Sequence, residues 1–373
     1  VVGRIQPRYM YVPSDDGVEG TNSLTARRMR LGAAGDLSKN VGFTIVGEYA
    51  NTDNRTQLLD ALLTFRSLED TIGHVLIGRA FIPAYINSAA RTIAVERNFV
   101  QYLGPGQSGR AWGVGLSRGA LYGRMGQGFF GDRLHYWAGI HNGSSGNTQD
   151  DNNELLYSLR VDLMPNGPMQ GDEWNLGRTP FRWGVGVSGS YGNESSGQPD
   201  LDFNNALNGA FGLADVSRLE NRWMGAHAQF EGHGWFGLAQ YARLESEDAD
   251  GSTLLIDAQG GADSELKSDA WLFGLSRVMG QGFSPGHQWG LGFQYQLIDN
   301  AHAFRTRFMG PRRNNLTTGT SALNFNEGSS YNLVLMYAAA RNLRFHAEYD
   351  INDEKDSGVP DNNALTLQGV LDF

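Results

Sequence analysis

Apolar and polar residues alternate singly along most of this chain. In its final segment, 362–373, Leu367 and Leu371 fall on one face of an extended chain, whereas Thr366 and Gln368 fall on the other. A period of two residues is the signature of a β-strand with one buried face, and helical periodicity is scarce here. The pattern therefore predicts an all-β protein.

Strand-like segments of about ten residues recur from one end of the chain to the other. The predicted strands are residues 3–12, 23–35, 41–50, 57–68, 74–82, 110–118, 132–142, 153–164, 181–192, 220–231, 234–245, 268–279, 287–298, 329–339, 343–352 and 363–373. They number sixteen, and short connections alternate with long ones, as in bacterial transmembrane barrels. Two connections, 119–132 and 165–180, are long for the side of the short turns, which leaves the count open by two strands.

The two faces of these segments differ in a way that favours a membrane. One face carries large aliphatic and aromatic side chains, and the other favours Gly, Ser, Gln and Arg over Lys and Glu. This contrast favours a barrel with lipid outside and a polar lumen over a soluble β-sandwich or a propeller. No stretch approaches the ~18 apolar residues of a membrane helix, so any crossing must be made by strands. An interfacial aromatic girdle is expected from Tyr9, Tyr11, Trp112, Trp137, Trp183, Trp223, Trp271, Tyr331 and Tyr337.

Composition excludes several functions. The chain has 373 residues, with 40 acidic and 30 basic side chains and a formal net charge of −10, and it contains no long Lys/Arg block. We therefore expect no nucleic-acid partner. The absence of cysteine rules out disulfides, Cys-ligated zinc, iron–sulfur clusters and cysteine nucleophiles. No HExxH, GxSxG or Walker motif is present, so the sequence predicts no enzyme activity, metal or cofactor. A lipid-facing Ser–His esterase site is the enzyme alternative.

Arginine supplies nearly all of the basic side chains, since Lys39, Lys267 and Lys355 are the only lysines. With the apolar residues placed outward, the arginines that fall on the lumen face are Arg4, Arg8, Arg28, Arg30, Arg66, Arg160, Arg182 and Arg344. Arg79 fits either face. A line of guanidinium groups would lower the barrier for an anion by replacing part of its water shell.

Carboxylates fall on the same inner face. By the same alternation, the inward ones are Glu48, Asp60, Asp162, Glu348 and Asp350. An ordinary wall network, in which these side chains neutralise the arginines, is therefore the alternative to a line of anion contacts. We expect a mixture, in which some of the arginines face permeant ions and the others pair with these carboxylates.

Several segments resemble successive blocks of a known family. They are "TARRMRLGAAGDLSKNVGFTIVGEYA" (25–50), "LLDALLTFRS" (58–67), "HVLIGRAFIPAYINSAARTIAVERNF" (74–99), "LHYWAGIHNG" (134–143) and "LLYSLRVDLMPNGP" (155–168). These blocks resemble the phosphate-selective porin O and P family. The resemblance covers residues 1–170, and "IGRAFIP…ERNF" is its most specific block.

That resemblance implies a sixteen-stranded trimeric channel of the bacterial outer membrane. It implies that the loop after the fifth strand, 83–109, folds into the lumen and narrows it, with Arg91, Glu96 and Arg97 at the constriction. The alternative is that these three side chains pair and pin the loop to the barrel wall. It also implies that Phe373 belongs to the signal that the barrel assembly machinery reads.

The lysines that the family places near its constriction have no counterpart here, which favours a moderate anion preference over strict phosphate selectivity. The sequence thus predicts one domain, 1–373, that forms a passive channel for small hydrophilic solutes, including phosphate or other oxyanions. We expect a homotrimer embedded in outer-membrane lipid, and a leader or N-terminal extension that was removed or not included. The expected anion contacts are Arg28, Arg30, Arg91, Arg97 and Arg160. The alternative is a structural barrel that sheathes or anchors a partner protein.

Overall fold

The structure is a computed structural model. It describes residues 1–14, 20–50, 56–68, 71–82, 110–118, 129–142, 155–169, 180–195, 215–216, 218–251, 254–256, 262–279, 288–300, 327–340, 342–354 and 363–373. The predicted constriction loop, 83–109, with Arg91, Glu96 and Arg97, lies outside these residues.

Sixteen strands of the described part close into one antiparallel barrel. They are β1 (Val2–Val12), β2 (Thr21–Ser38), β3 (Val41–Glu48), β4 (Gln57–Phe65), β5 (His74–Phe81), β6 (Arg110–Arg118), β7 (Leu134–Asn142), β8 (Leu155–Leu163), β9 (Arg182–Ser195), β10 (Arg218–Gly232), β11 (Trp235–Asp248), β14 (Glu265–Met279), β15 (Gln288–Asn300), β16 (Glu327–Ala340), β17 (Leu343–Glu354) and β18 (Ala364–Asp372). The predicted all-β barrel and its strand count are confirmed.

Among the described residues, two short strands and one helical turn do not belong to the barrel sheet. The strands β12 (Leu255–Ile256) and β13 (Ala262–Asp263) pair with each other in the connection between β11 and β14. The turn α1 (Phe129–Asp132) precedes β7. No helix among the described residues is long and apolar enough to cross a membrane.

The barrel closes where β1 pairs with β18. Gly3 N donates to the carbonyl of Phe373 over 2.7 Å, and Phe373 N donates to the carbonyl of Gly3 over 3.1 Å. Further along the same seam, Tyr11 lies opposite Leu365. The chain therefore reaches Phe373 at the point where its last strand meets its first.

The strands separate an apolar outside from a polar inside. Ile45 and Leu291 point outward and are 52% and 53% exposed, whereas Thr64, Glu348 and Thr366 point inward and are fully buried. Side chains on alternate positions of a strand point to opposite faces, so the period of two in the sequence becomes a difference between the two walls. The predicted orientation, apolar out and polar in, is confirmed.

Two tryptophans do not belong to the predicted girdle. Trp137 and Trp223 point into the barrel and are each only 2% exposed. On β7, Trp137 lies an even number of positions from His135 and His141. Those two residues are also buried, so Trp137 shares their inward face. The prediction was wrong for these two residues because it used their distance from a strand end and ignored their position in the alternation.

The barrel wall is uneven in height. Strands β3 to β8 are 8 or 9 residues long, whereas β9, β10, β11, β14, β15 and β16 have 13 to 15 residues. Residues 246–248, predicted as part of a loop, are the end of β11. A strand needs about 9–11 residues to cross a bilayer, so the longer strands extend beyond the membrane.

Candidate functional site in the barrel lumen

The predicted arginines lie on the inner wall, and two of them contact the same carboxylate at the seam between β1 and β18. Arg4 Nε lies 2.5 Å from Asp372 Oδ1, and Arg344 Nη2 donates to Asp372 Oδ2. Three neighbouring strands, β1, β18 and β17, are thereby joined through one carboxylate. Arg8 lies on the same face of β1, opposite Gln368. Arg4 and Arg344 thus have a structural partner at the seam.

Next to the seam, β2 presents Arg28 and Arg30 to the lumen. Arg28 Nη1 donates to Gln6 Oε1 over 3.2 Å, so this contact is with a neutral amide. Arg30 Nε donates to Glu48 Oε2 over 2.8 Å, and the backbone N–H of Met29 donates to Glu48 Oε1 over 2.6 Å. Both arginines therefore have hydrogen-bond partners within the barrel wall.

A second cluster of charged residues lies on the inner face of β8. Arg160 and Asp162 are two positions apart, so their side chains share a face, and they form a bidentate pair at 2.8 Å and 2.6 Å. His227 Nε2 lies 3.2 Å from Asp162 Oδ1. A Cβ at Gly186 would lie 2.3 Å from Asp162 Oδ1 and 2.4 Å from the His227 ring. Because Gly186 has no side chain, Asp162 and His227 have room to approach each other at this position.

Three other arginines occupy structural positions. Arg66 Nη2 lies 2.5 Å from Asp36 Oδ1 at the end of the barrel that carries the short turns. Arg182 donates to the carbonyl of Pro168. Arg79 is fully buried and donates through Nε to the carbonyl of Leu59 over 3.2 Å.

On β15, β16 and β17, amides and carboxylates form a buried network. Asn332 donates through Nδ2 to Glu348 Oε1 over 3.2 Å and also to Asp350. Its Oδ1 accepts from Gln296 Nε2 over 2.9 Å and from Gln294 Nε2 over 3.3 Å. Asn332 and His227 were not predicted as members of these networks, although their inward positions in the alternation were visible in the sequence.

Charged and hydrogen-bonding side chains of the described inner wall pair with one another. Arg4, Arg30, Arg160 and Arg344 each contact a carboxylate, as the wall-network alternative expected. Asp60 lies on the inner face of β4, opposite Val46. Among the described residues, no group of three or more His, Cys, Asp or Glu side chains could hold a metal ion. Hydrogen-bonding groups spread around a closed wall can replace part of the hydration of a passing solute.

Comparisons with known proteins agree on the fold. No protein-family model and no curated protein matches the chain. Among solved structures, it is similar to the anion-selective porin from Comamonas acidovorans, with a TM-score of 0.58 and 13% identity over 100% of this chain and 98% of that one. The outer membrane channel DcaP of Acinetobacter baumannii gives 0.59 and 14%, over 100% and 96%. OmpT of Vibrio cholerae, an outer membrane protein in its trimer form, gives 0.58 and 11%, over 100% and 98%.

The fold is that of outer-membrane porins. At identities this low the likeness concerns the arrangement of strands alone. The resemblance to the phosphate-selective O and P family therefore remains a prediction.

Proposed function

We propose that this porin-fold protein is a passive diffusion channel of the bacterial outer membrane for small hydrophilic solutes. The observation that carries the proposal is the closed barrel with an apolar outer wall and a polar inner wall. Lipid-exposed unpaired strand edges are not tolerated in a bilayer, and closure removes them. The inner polar groups then line a path for water and solutes.

The described residues favour a channel over the esterase alternative. The histidines on the barrel strands, which include His141, His227 and His346, point into the barrel, so the described outer wall has no Ser–His pair of the kind that an esterase would need. A barrel that sheathes a partner protein stays the second candidate.

We also propose a moderate anion preference, extending to phosphate and other oxyanions. It is supported by the arginines on the inner faces of β1 and β2, and by the shared fold with a porin named as anion-selective. Among the described residues we single out Arg28 as the candidate contact, because it lies on the inner face of β2 beside the seam and donates to Gln6. Arg91 and Arg97 remain candidates in the 83–109 loop, with Glu96 as their partner.

The test is planar-bilayer recording under a chloride-salt gradient. We expect discrete steps and a reversal potential on the anion side, and Arg28→Gln should lower the anion-to-cation permeability ratio roughly twofold because one lumen charge is lost. Arg66→Gln is the matched control, since Arg66 lies at the turn end and pairs with Asp36. A cation-side potential, or an equal effect of both variants, would contradict the anion preference. Absence of steps from a folded barrel would contradict the channel itself.

The proposal includes assembly as a homotrimer. It is supported by the shared fold with a protein described in its trimer form. Conductance steps that open and close in threes, together with the mass of the detergent-solubilised complex, test it. Phe373, at the seam, is the proposed contact for the barrel assembly machinery.

A further inference from the structure

On the long strands, the outward-facing residues change from aromatic to charged near the end that carries the long loops. Tyr241 on β11 and Trp271 on β14 are neighbours, with ring centroids 4.3 Å apart. Beyond them the outward positions are charged, and Arg243 pairs with Asp269 at 2.9 Å, while Arg222 pairs with Glu247 at 2.6 Å. Aromatic residues concentrate at a membrane boundary and charges lie outside it. The ends of β10, β11 and β14 therefore stand above the membrane.

The inner face of the same strand ends carries buried leucines among polar residues such as Ser246 and Ser268. Leu219 on β10, Leu244 on β11 and Leu266 on β14 point inward, and each is no more than 1% exposed. At the mouth of a water-filled barrel, such residues would face solvent unless another part of the chain covered them. A patch of this kind needs a covering element.

The connection between β11 and β14 supplies part of that cover. Leu255, the first residue of β12, is fully buried and belongs to one cluster with Val216, Leu219 and Leu266. Its neighbour Leu254 is 43% exposed. The hairpin therefore packs Leu255 against the inner wall and leaves Leu254 exposed to solvent.

The base of this connection is held to the barrel wall. Ala249 N donates to the carbonyl of Arg218 over 2.9 Å, and Arg218 Nη2 lies 2.8 Å from Asp250 Oδ1. Asp250 N also donates to Asp248 Oδ1 over 3.2 Å. These bonds hold the chain to the barrel wall where it leaves β11. The contacts of Leu255 then hold the hairpin at a second point.

We propose that the β12–β13 hairpin is a cap at the loop end of the barrel, docked through Leu255 on the Leu219–Leu266 patch, and that it restricts solute access along the β10–β14 side of the lumen. The cap is distinct from the predicted constriction loop 83–109. The inference rests on the proposed channel function, but the docking itself can be measured without any conductance.

The docking is tested by cysteine labelling, which is simple because the chain contains no cysteine. Leu255→Cys and Leu254→Cys are made singly and exposed to a water-soluble maleimide in the folded, detergent-solubilised protein. We expect Cys at 255 to react at least about tenfold more slowly, because it must wait for local opening of the hairpin. Equal rates at the two positions would overturn the docking.

The effect on access is tested by single-channel recording of Leu255→Asp, with Leu254→Asp as the matched control. Undocking should raise the conductance of Leu255→Asp by about half or more, because the access path at the barrel mouth widens, while the control should match the unmodified protein. Both variants are first checked for a folded barrel, and Leu255→Ala replaces the aspartate variant if it does not fold. Unchanged conductance of the 255 variant would overturn the cap. Absence of steps in the unmodified protein would instead overturn the channel proposal and leave the labelling contrast standing.

Discussion

Replacing Asp162 by leucine should lower the free energy of unfolding of the barrel by about 3–5 kcal/mol. Asp162 and Arg160 are both buried, and removal of one member of a buried ion pair leaves the other charge without its compensating partner. The same change takes a partner from His227, which lies 3.2 Å away. Chemical denaturation of the folded barrel in detergent, followed by the loss of its compact gel mobility, measures the effect.

Two further variants separate this effect from a general sensitivity to lost charges. In Asp36→Asn the altered carboxylate belongs to a pair with Arg66 in which the Asp36 side chain is 62% exposed, so the cost should stay below about 1 kcal/mol. In the double variant Arg160→Met with Asp162→Leu, most of the lost stability should return, because an apolar pair of similar volume removes both buried charges. Equal unfolding of Asp162→Leu and the unmodified protein would show that the pair carries no stability.

Gly78→Ala should destabilise the barrel by about 3 kcal/mol. Gly78 has φ of 131°, a conformation that residues with a side chain rarely adopt. A Cβ there would also lie 2.0 Å from the carbonyl oxygen of Ala61 on β4, which is backbone and cannot rotate away. The pairing of β4 with β5 would have to shift, and Arg79, which follows directly, would be displaced from its contact with Leu59. The same denaturation assay measures the loss.

Gly369→Ala is the matched control for a glycine in a barrel strand. A Cβ at Gly369 would meet Pro7 Cγ at 3.5 Å, an ordinary contact, and the residue has no unusual φ. We expect it to change the unfolding midpoint little or to raise it slightly, since alanine reduces the freedom of the unfolded chain. Similar midpoints for the two variants would contradict the strain assigned to Gly78.

The barrel itself could be predicted from sequence because its two faces meet different surroundings. On β15, Trp289, Leu291 and Phe293 face outward while Gln294 and Gln296 are buried inside, so alternation alone marks the strand and its orientation. The alternation no longer marks a strand where both of its faces meet water. Above the membrane, β11 carries Glu245 and Glu247 outside and Ser246 inside, and this composition reads as a loop although the hydrogen-bond ladder continues.

Side-chain pairing was harder to predict than side-chain direction. The alternation gave the inward face of Arg30 and Arg160, but it could not say whether a carboxylate would meet each guanidinium, because that depends on the register between strands. Arg79 could not be assigned to either face because apolar residues of β5 occupy both faces of the strand, so its sequence fits either orientation. Leu255 could not be distinguished from its apolar neighbours Leu254 and Ile256, because its role depends on the patch that it covers.

Arg4 and Asp372, which meet across the seam, are 368 positions apart in the chain. Closing a loop of that length costs more entropy than pairing neighbouring strands, so this ladder forms late in folding. Until it forms, β1 and β18 both present unpaired backbone groups, and such edges pair readily with other chains. The open sheet is therefore the species most prone to aggregate. Low protein concentration and early contact with lipid should raise the yield of refolding more than any added stability of the finished barrel.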